Sequence, residues 1–294
     1  MIRRVFLLAL LPAALAGQNF DTIQVRAQHL RGGVYILTGW GGNIGLSVGD
    51  DGAFLVDDQY APLTAKITAA VAAVTSKPIR FVLNTHWHGD HTGGNENLGK
   101  AGALLVAHDN VRKRMSVEQF LERFNQRVPA SPPAALPVVT FSDSVAFHIN
   151  GDDLVAFHVP PAHTDGDVLV HFTKADVIHM GDTFMTMGYP FIDLSTGGTA
   201  SGLVTAADRA LASCGAQTII IPGHGPVTNC AGLRDWRNML ATVVQRVRPE
   251  VQRGRTLQQV QAAGLTKEFD ERWGKSFINP AGFVESVYRS LGGK

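Results

Sequence analysis

The sequence predicts an α+β fold in which two β-sheets pack against each other and are covered by helices. Short segments rich in branched and aromatic residues, bounded by glycines and turn residues, fall into two groups along the chain, which is typical of strands. Segments with helical periodicity lie between and after these groups. Neither a linker nor a short-period repeat separates the two halves, so residues 17–294 are interpreted as one domain.

The first half of the chain begins with a hairpin pattern, whose turn is Gly49-Asp50-Asp51-Gly52. Strands are predicted at residues 34–38, 44–48, 53–57, 79–84 and 103–107. Helices are predicted at residues 62–74 and 111–124. Residues 127–137 carry four prolines and are predicted to form a loop, which is a candidate cover for a site.

The second half repeats this pattern in a looser form. Strands are predicted at residues 144–148, 154–158, 167–172, 177–180 and 218–221. Helices are predicted at residues 201–212, 233–247, 257–263 and 282–291. Several of these strands end just before a histidine or an aspartate, so the strand ends are the first place to search for chemistry.

Composition excludes some classes of function. Of 294 residues, 45% are hydrophobic and 17% are charged, which suits a globular enzyme rather than a disordered chain. The formal net charge is +1 and no long basic stretch occurs. Nucleic acid is therefore not expected as a substrate, because phosphate binding needs clustered lysine and arginine. A small-molecule substrate is expected; the sequence does not indicate an oligomeric state.

The N-terminus resembles a signal peptide spanning residues 1–16. A short positive segment precedes an apolar run that is too short to cross a bilayer. The sequence Ala14-Leu15-Ala16 fits a small-x-small cleavage pattern, with the cut after Ala16. We expect a periplasmic or secreted enzyme with no stable membrane association after cleavage. An uncleaved membrane anchor is the alternative reading.

The chain has two cysteines, Cys214 and Cys230. They flank the predicted strand that precedes His224, so we expect them to lie close together. Export makes a disulfide chemically feasible, and two buried free thiols are the alternative. Neither cysteine belongs to a CxxC pair, so a cysteine-based zinc or redox motif is not indicated.

The strongest chemical signal is the run His86-Trp87-His88-Gly89-Asp90-His91, which follows a predicted strand. His86 and His88 are two residues apart and can direct both imidazoles at one ion. Asp90 and His91 can reach a second ion nearby. Imidazole and carboxylate are common zinc ligands, and four such side chains within six residues have no common packing explanation.

Three more candidate ligands follow predicted strands. His163 lies in a turn after residues 154–158, Asp182 follows residues 177–180, and His224 follows residues 218–221. A lone histidine or aspartate in a turn is more often solvated or a helix cap. As a set at strand ends, however, these side chains can converge on one edge of the sandwich.

With these motifs in this order, the sequence resembles the metallo-β-lactamase superfamily. The resemblance covers nearly all of the mature chain and implies a four-layer αββα sandwich with two Zn²⁺ ions per chain at one edge. It implies that His86, His88 and His163 hold the first zinc. It implies that Asp90, His91 and His224 hold the second, with Asp182 bridging the two. Asp57 would support the site by orienting a ligand through a hydrogen bond.

The resemblance also implies a reaction. Two zinc ions can hold one hydroxide between them, which would attack a carbonyl carbon while Asp90 orients it and passes its proton to the leaving group. Opening of a cyclic amide or ester is expected, with β-lactams as the lead substrates and lactones next. Aspartate at position 182 resembles glyoxalase II and the lactonases, so a thioesterase is the first alternative.

Two other classes of function are alternatives. The same ligand set can hold iron in oxidoreductases of this fold, although the flavodoxin domain of flavodiiron proteins is not seen. A non-catalytic protein that kept the fold is the other, and the complete ligand set argues against it.

Four aromatic residues could line a pocket mouth or, equally, pack in a core. They are Trp40, Trp87, Tyr189 and Phe191.

Overall fold

The structure, a computed structural model, describes residues 18–294. The predicted signal peptide, residues 1–16, lies outside the described residues. Within them, no helix is both long enough and apolar enough to cross a membrane.

The strands and helices follow the predicted alternation, and the structure adds five strands and three short helices that were not predicted. In chain order the strands are β1 (Arg26–Arg31), β2 (Val34–Thr38), β3 (Ile44–Gly49), β4 (Gly52–Val56), β5 (Ile79–Asn84), β6 (Leu104–His108), β7 (Gln119–Leu121), β8 (Gln126–Val128), β9 (Val139–Phe141), β10 (Ser144–Ile149), β11 (Asp152–His158), β12 (Val168–Phe172), β13 (Val177–His179), β14 (Ile219–Ile221) and β15 (Thr228–Asn229). The helices are α1 (Thr64–Ala72), α2 (Gly89–Thr92), α3 (Asn95–Lys100), α4 (Asp109–Met115), α5 (Ala200–Ala212), α6 (Cys230–Gln252), α7 (Leu257–Ala262), α8 (Asp270–Trp273) and α9 (Pro280–Ser290). The added strands are β1, β7, β8, β9 and β15, and the added helices are α2, α3 and α8.

Two mixed sheets form the centre of the molecule. The first has the order β1-β2-β3-β4-β5-β6-β9, antiparallel up to β4 and parallel from β4 onward. The second has the order β10-β11-β12-β13-β14-β15, in which only β13 and β14 are parallel. The parallel neighbours β4 and β5 end at the same edge, as do β13 and β14, and these ends carry the candidate ligands.

Alternating side chains along the strands divide the core into layers. Phe54 and Val56 of β4 face a cluster between the two sheets, together with Val168 and Val170 of β12. Leu55, which lies between Phe54 and Val56, instead contributes to a cluster under α1 and α3. Leu169 likewise belongs to a third cluster, beneath α5, α6 and α9. This period of two is what a strand buried on both faces requires, and it produces helix, sheet, sheet and helix layers.

The predicted helix at residues 111–124 is wrong in its second half. Helix α4 ends at Met115, and residues 119–128 form the β7–β8 hairpin instead. The side-chain amide of Gln119 donates to the Arg114 carbonyl over 2.9 Å, which satisfies one of the open carbonyls at the helix end. Asn125 adopts a left-handed conformation with φ 48° in the hairpin turn, a conformation that asparagine tolerates better than most residues.

The proline-bearing segment at residues 127–137 contains the end of strand β8 and a short 3₁₀ turn at Pro133–Ala135. Val128 and Ala135 pack in a small apolar cluster with Trp87, the tryptophan inside the histidine run. The segment therefore lies beside the histidine loop.

Cys214 and Cys230 form a disulfide. It joins the turn after α5 to the first residue of α6, so the two cysteines are close in space as expected. The crosslink fixes the start of α6 to the loop that precedes β14. Residue His224 lies between these two anchored points.

Candidate metal centre

Seven candidate ligands converge where strands of both sheets end. They are His86, His88, Asp90, His91, His163, Asp182 and His224. Hydrogen bonds between the two sheets hold this edge together: Val168 N–H donates to the Thr85 carbonyl over 2.8 Å, and the Asn43 side chain donates to the Pro222 carbonyl over 2.8 Å. The site therefore depends on both halves of the sandwich.

Two glycines leave room for this convergence. A Cβ atom on Gly223 would lie 2.0 Å from Asp182 Oδ1, and a Cβ atom on Gly42 would lie 2.1 Å from His91 Cε1. Because real side chains do not approach that closely, both positions require glycine. Packing therefore requires glycine at position 223, immediately before His224.

The first ligand group consists of His86, His88 and His163, all of them buried. One ring nitrogen of each lies within 4.8 Å of the others. The nearest approach is 2.9 Å, between His88 Nδ1 and His163 Nε2. Such a spacing lets three imidazoles contact a single ion.

Outer hydrogen bonds determine which nitrogen of each ring points inward. His163 Nδ1–H donates to the Phe191 carbonyl over 2.9 Å, and His88 Nε2–H donates to Asp193 Oδ2 over 3.1 Å. The Thr85 hydroxyl donates to Asp57 Oδ2, so its oxygen accepts from His86 Nδ1–H over 3.1 Å. With these outer nitrogens engaged, the remaining ring nitrogen of each of the three histidines points toward the same small region.

This arrangement fits a cation. The inward nitrogen of His86, Nε2, is buried and has no hydrogen-bond partner, and a buried polar atom without a partner is costly. The inward nitrogens of His88 and His163 lie 2.9 Å apart, close enough for one cation to contact both. A metal ion satisfies all three nitrogens at once.

The second ligand group consists of Asp90, His91 and His224. Asp90 Oδ2 lies 3.1 Å from His224 Nε2, and the His91 and His224 Nε2 atoms are 3.3 Å apart. Side chains of Asp90 and His224 are 22% and 27% exposed, whereas that of His91 is fully buried. Solvent therefore reaches the centre from this side.

Asp182 lies between the two groups. Its Oδ2 atom is 3.3 Å from His224 Nε2 and 3.7 Å from His163 Nε2, and its Oδ1 atom is 3.1 Å from His91 Nε2. A third triad that could hold an ion is His86, His91 and Asp182. The carboxylate thus lies within reach of both groups.

The two groups differ in protonation. Burial lowers the pKa of His86 well below its usual range and that of His163 to about 4, so both imidazoles are neutral at pH 7. Burial also disfavours charge on His224, but the carboxylates of Asp182 and Asp90 outweigh it and raise the pKa of His224 to about 10. Asp182 and Asp90 raise the pKa of buried His91 in the same way.

The carboxylates respond in the opposite direction. Burial alone would raise the pKa of Asp90 and of Asp182, yet the neighbouring histidines hold both values well below the usual range. Both side chains are therefore ionised at neutral pH. The second group combines negative charge, titratable imidazole and access to solvent.

Asp57, for which the resemblance implies a supporting role, lies beside the candidate ligands. It follows β4 in a left-handed conformation with φ 66° and is completely buried. Its Oδ2 atom accepts from His91 Nδ1–H over 2.7 Å, and its Oδ1 atom accepts from the Thr85 backbone N–H over 2.7 Å. Through Thr85 it also acts on His86, so one carboxylate orients a ligand in each group.

The comparison with known families agrees with this geometry. Residues 37–228, well over half of the chain, match the family described as the metallo-beta-lactamase superfamily. The chain belongs to that superfamily. Its histidine and aspartate clusters are groups that could hold metal.

Curated relatives of this superfamily member include a protein whose name states an activity. The hydroxyacylglutathione hydrolase of Erythrobacter litoralis (strain HTCC2594) is 26% identical over 147 residues, which are 47% of this chain and 50% of the relative. The chain spans about half the length of the curated relatives it matches.

Solved structures share the fold at low identity. A metallo-beta-lactamase from Pontibacter korlensis has a TM-score of 0.61 and 19% identity, covering 74% of this chain and 99% of its own. An inverting sec-alkylsulfatase from Pseudomonas sp. has a TM-score of 0.73 and 17% identity, covering 92% of this chain and 50% of its own. Together with the four layers described above, these similarities confirm the predicted αββα sandwich.

One supporting residue of this metallo-beta-lactamase superfamily member was missed by the sequence analysis. Asp193 is buried and accepts from His88 Nε2–H, and it also accepts from the hydroxyl and backbone N–H of Ser195. In the sequence, Asp193 looks like an ordinary helix cap, because it precedes Leu194–Thr196. Its contact with His88 spans 105 positions, for which a single sequence holds no signal.

The four aromatic candidates have different surroundings. Trp40 is 44% exposed. The same loop contains Gly42, whose backbone N–H donates to the Asp90 carbonyl. Phe191 is half-buried, and its ring packs on those of His88 and His163. The Phe191 ring therefore contacts the first ligand group, and the loop that carries Trp40 contacts the Asp90 backbone; whether either lines an entrance stays a prediction.

The other two aromatic candidates are buried. Trp87 packs in the small cluster beneath the proline-bearing segment and donates from its indole N–H to Thr196 Oγ1. Tyr189 is 1% exposed, stacks on Phe283 of α9 and donates to Asp270 Oδ1. The prediction that Tyr189 lines the pocket mouth is wrong, because the chain turns this ring toward the C-terminal helices.

Proposed function

We propose that this chain is a two-zinc hydrolase that opens cyclic amides or esters, with β-lactams as the lead substrates and lactones next. The observation that carries the proposal is the shared position of Asp182 between two ligand groups, each with inward-facing donor atoms. His86, His88 and His163 would hold one ion, and Asp90, His91 and His224 the other. Nitrogen and oxygen donors in these numbers suit zinc.

Bound zinc would supply a hydroxide near neutral pH and polarise a carbonyl oxygen. The residues of the chain supply orientation and proton transfer. Asp90 is ionised and partly exposed on the solvent side of the centre. Its carboxylate accepts a hydrogen bond from the attacking water, takes up the proton, and gives it to the leaving nitrogen or oxygen.

The neighbouring structure favours a lactam or lactone over a glutathione thioester. A cluster of arginines near the C-terminus could in principle bind glutathione carboxylates, namely Arg246, Arg248, Arg253 and Arg255. However, Arg246 forms a bidentate pair with Glu268, and both Arg253 and Arg255 pair with Glu250. Arg246 also lies roughly 24 Å along α6 from the end nearer His224, at 1.5 Å per residue.

A thioesterase is the second candidate, because the relative from Erythrobacter litoralis is named as a hydroxyacylglutathione hydrolase. An iron-dependent oxidoreductase on the same ligand set is the third. Elemental analysis of protein purified without added metal separates the iron-dependent oxidoreductase from the two zinc-dependent hydrolases. Iron in place of zinc would contradict the proposal.

The substrate proposal is tested with the zinc-loaded enzyme on a matched panel of β-lactams, lactones and a glutathione thioester. We expect the highest kcat/KM on a β-lactam, with lactones next. The Asp90→Asn variant assayed in parallel controls for contaminating hydrolases. Cleavage of the thioester without cleavage of either cyclic class would refute the proposal in favour of the second candidate.

We also propose that the enzyme works outside the cytoplasm. The Cys214–Cys230 disulfide supports this location, because disulfides persist mainly in oxidising compartments. N-terminal sequencing of protein from the periplasmic fraction should begin after Ala16. Full-length protein retained in the cytoplasm with two titratable thiols would contradict both the location and the crosslink.

A further inference from the structure

A single lysine side chain fastens a short turn that precedes the first sheet. Lys66 of α1 is half-buried, and its ammonium group donates to three backbone carbonyls at 2.8, 2.8 and 2.7 Å, those of Phe20, Asp21 and Ile23. An ammonium group has only three N–H donors, so this contact uses all of them. Hydrogen bonds from a charged donor are about twice as strong as neutral ones. Residues 20–23, the 20–23 turn below, are therefore firmly attached to α1.

The fastened turn packs against a second segment and a glycine-rich loop. The Phe20 ring meets the Tyr60 ring edge-on, with 5.9 Å between the ring centroids. Val25 follows the turn, and a Cβ atom on Gly39 would lie 3.2 Å from Val25 Cγ2 and 2.6 Å from Gln59 Oε1. The turn and the residues just after it thus lie against both the Gln59–Tyr60 segment and the loop that begins at Gly39.

Gln59 attaches this loop, residues 39–42, to the second ligand group. The Gln59 side-chain amide donates to the Gly42 carbonyl over 2.6 Å, and the Gly42 N–H donates to the Asp90 carbonyl over 3.1 Å. Gly42 also lies directly against the His91 ring. Gln59 itself has a left-handed conformation with φ 56°, which is unfavourable for a residue other than glycine and persists only when the surrounding contacts enforce it.

Tyr60 contacts the same loop at the preceding glycine. A Cβ atom on Gly41 would lie 3.4 Å from Tyr60 Cδ2 and 3.3 Å from Asp90 Cβ, so the tyrosine ring and the Asp90 side chain border one glycine. Because Phe20 packs on the Tyr60 ring, the 20–23 turn reaches Asp90 through one side chain and one glycine.

The first ligand group has different supports. They are Asp193, the Thr85 hydroxyl and the Phe191 carbonyl. Within the part of the chain that the structure describes, the hydrogen bonds of Lys66 and the ring contact of Phe20 reach none of these three. Loosening the turn should therefore affect the second group and spare the first.

We propose that the 20–23 turn, fastened by Lys66, positions Asp90 and His91 and thereby sets the affinity of the second ion. Lys66 is a positioning residue, because it touches neither ligand and acts through the turn, Tyr60 and the glycine-rich loop. The inference rests on the proposed two-metal centre and assigns one of its halves a support of its own.

The first test measures the zinc affinity of both ions by titration against a competing chelator. Lys66→Met removes the charge and the donors but keeps an unbranched side chain. We expect it to weaken the second ion about 2- to 30-fold, the usual range for residues that act on a site through intervening contacts, and to leave the first within about twofold. Lys66→Arg keeps a positive charge and N–H donors and should recover part of the affinity.

Phe20→Ala loosens the turn from its other side, because it removes the contact with Tyr60 and leaves Lys66 in place. It should give the same pattern, a weaker second ion and an unchanged first ion. Equal losses of both ions in Lys66→Met and Phe20→Ala, as a general loss of stability would produce, would overturn the proposal.

Lys174→Met is the matched control. Lys174 also donates to a backbone carbonyl, that of Gly151 over 2.8 Å, but it lies between β12 and β13 of the second sheet and its side chain is 63% exposed. Both zinc affinities should equal those of the wild type. A loss of second-ion affinity as large as that in Lys66→Met would contradict a specific role for the turn.

A measurement on metal-free protein keeps the proposal testable if the wild type binds fewer than two ions, a result that would count against the two-metal centre and not against the turn. Amide hydrogen exchange followed by NMR reports the hydrogen bonds of the Gly42 and Gly94 N–H groups, which donate to Asp90 and Gln59. We expect Lys66→Met to speed exchange at both, because a loosened support opens locally. The Val168 N–H, hydrogen-bonded between the two sheets, should exchange at the wild-type rate. Unchanged exchange at Gly42 and Gly94, or an equal increase at Val168, would contradict the proposal.

Discussion

The two ligand groups of the centre are built from similar side chains in different environments. His86, His88 and His163 are buried, and His86 and His163 are held neutral by burial. The second group faces solvent through Asp90 and His224, and its histidines retain protons in the field of the carboxylates. The first group could thus hold a metal ion without losing protons from His86 or His163, and the second is the side open to solvent.

Their outer supports differ as well. The first group depends on Asp193 and on the Phe191 carbonyl, both from the loop after Asp182. The second depends on Asp57, which holds His91 directly and reaches His86 only through Thr85. Binding of the first ion and chemistry beside the second should therefore be separable by mutation.

The largest effect is expected for Asp90→Asn. Asparagine keeps the shape of the side chain but carries no charge and cannot take up the proton, so kcat should fall about 10²- to 10⁴-fold, the usual range for general acid–base catalysis. Metal content and turnover should be measured on the same sample, because asparagine is also a weaker ligand. The first group should stay loaded.

The Asp90→Asn experiment has two informative outcomes. A variant that keeps both ions and loses turnover supports proton transfer by Asp90. A variant that keeps both ions and works at the wild-type rate would contradict the role given to Asp90 and leave it as a structural ligand.

A smaller effect should separate the two supporting carboxylates. Replacement of a residue that orients a ligand usually costs about 10- to 100-fold in metal affinity or activity. Asp193→Asn should weaken the first ion, because the Asp193 side chain accepts from His88 and its backbone contacts His163, both of the first group. Asp57→Asn should weaken mainly the second ion, because Asp57 accepts directly from His91. Zinc titration with a competing chelator measures both losses.

Asp208→Asn serves as the matched control for these two variants. Asp208 is exposed and pairs with Arg237 on the helical surface, so its loss should leave both zinc affinities unchanged. Identical losses of both ions in Asp193→Asn and Asp57→Asn would mean that the two groups are not independently supported.

The mildest effect concerns pH. Because the pKa of His224 is raised to about 10 and that of His91 is also raised, metal-free protein holds these protons at pH 7 and the second ion must displace them. Its affinity should rise about tenfold per pH unit for each proton displaced. Affinity of the first ion should change less above about pH 5, since the pKa of His163 is lowered to about 4.

Calorimetry in buffers of different ionisation enthalpy counts these protons directly. Release of fewer protons with the second ion than with the first would reverse the comparison between the two groups.

The sequence was most informative where local pattern and chemistry coincide. The histidine run follows the buried strand β5 and ends in glycines, so both its position and its ligands could be predicted. His163, Asp182 and His224 could be predicted because each follows a strand that joins the same sheet. Placement at the end of a strand is a local property of the sequence. In the folded sandwich these strand ends, and therefore the candidate ligands, lie close together.

Prediction failed where tertiary contacts decide. Residues 116–124 have helical spacing, but the side chain of Gln119 caps α4 and directs the chain into a hairpin. Tyr189 follows a candidate ligand in the sequence, yet its ring packs in the core against Phe283 and Asp270, both more than 80 positions away. Asp193 supports His88 across a similar separation. None of these contacts can be predicted from residues that are adjacent in the sequence.

The most direct test of the account is the number of zinc ions bound at saturation. Protein equilibrated with excess zinc, dialysed, and measured by elemental analysis against amino-acid quantification should hold close to two ions per chain, because seven ligands form two groups that share Asp182. Recovery of no more than one ion per chain in the saturated wild-type protein would contradict the shared centre.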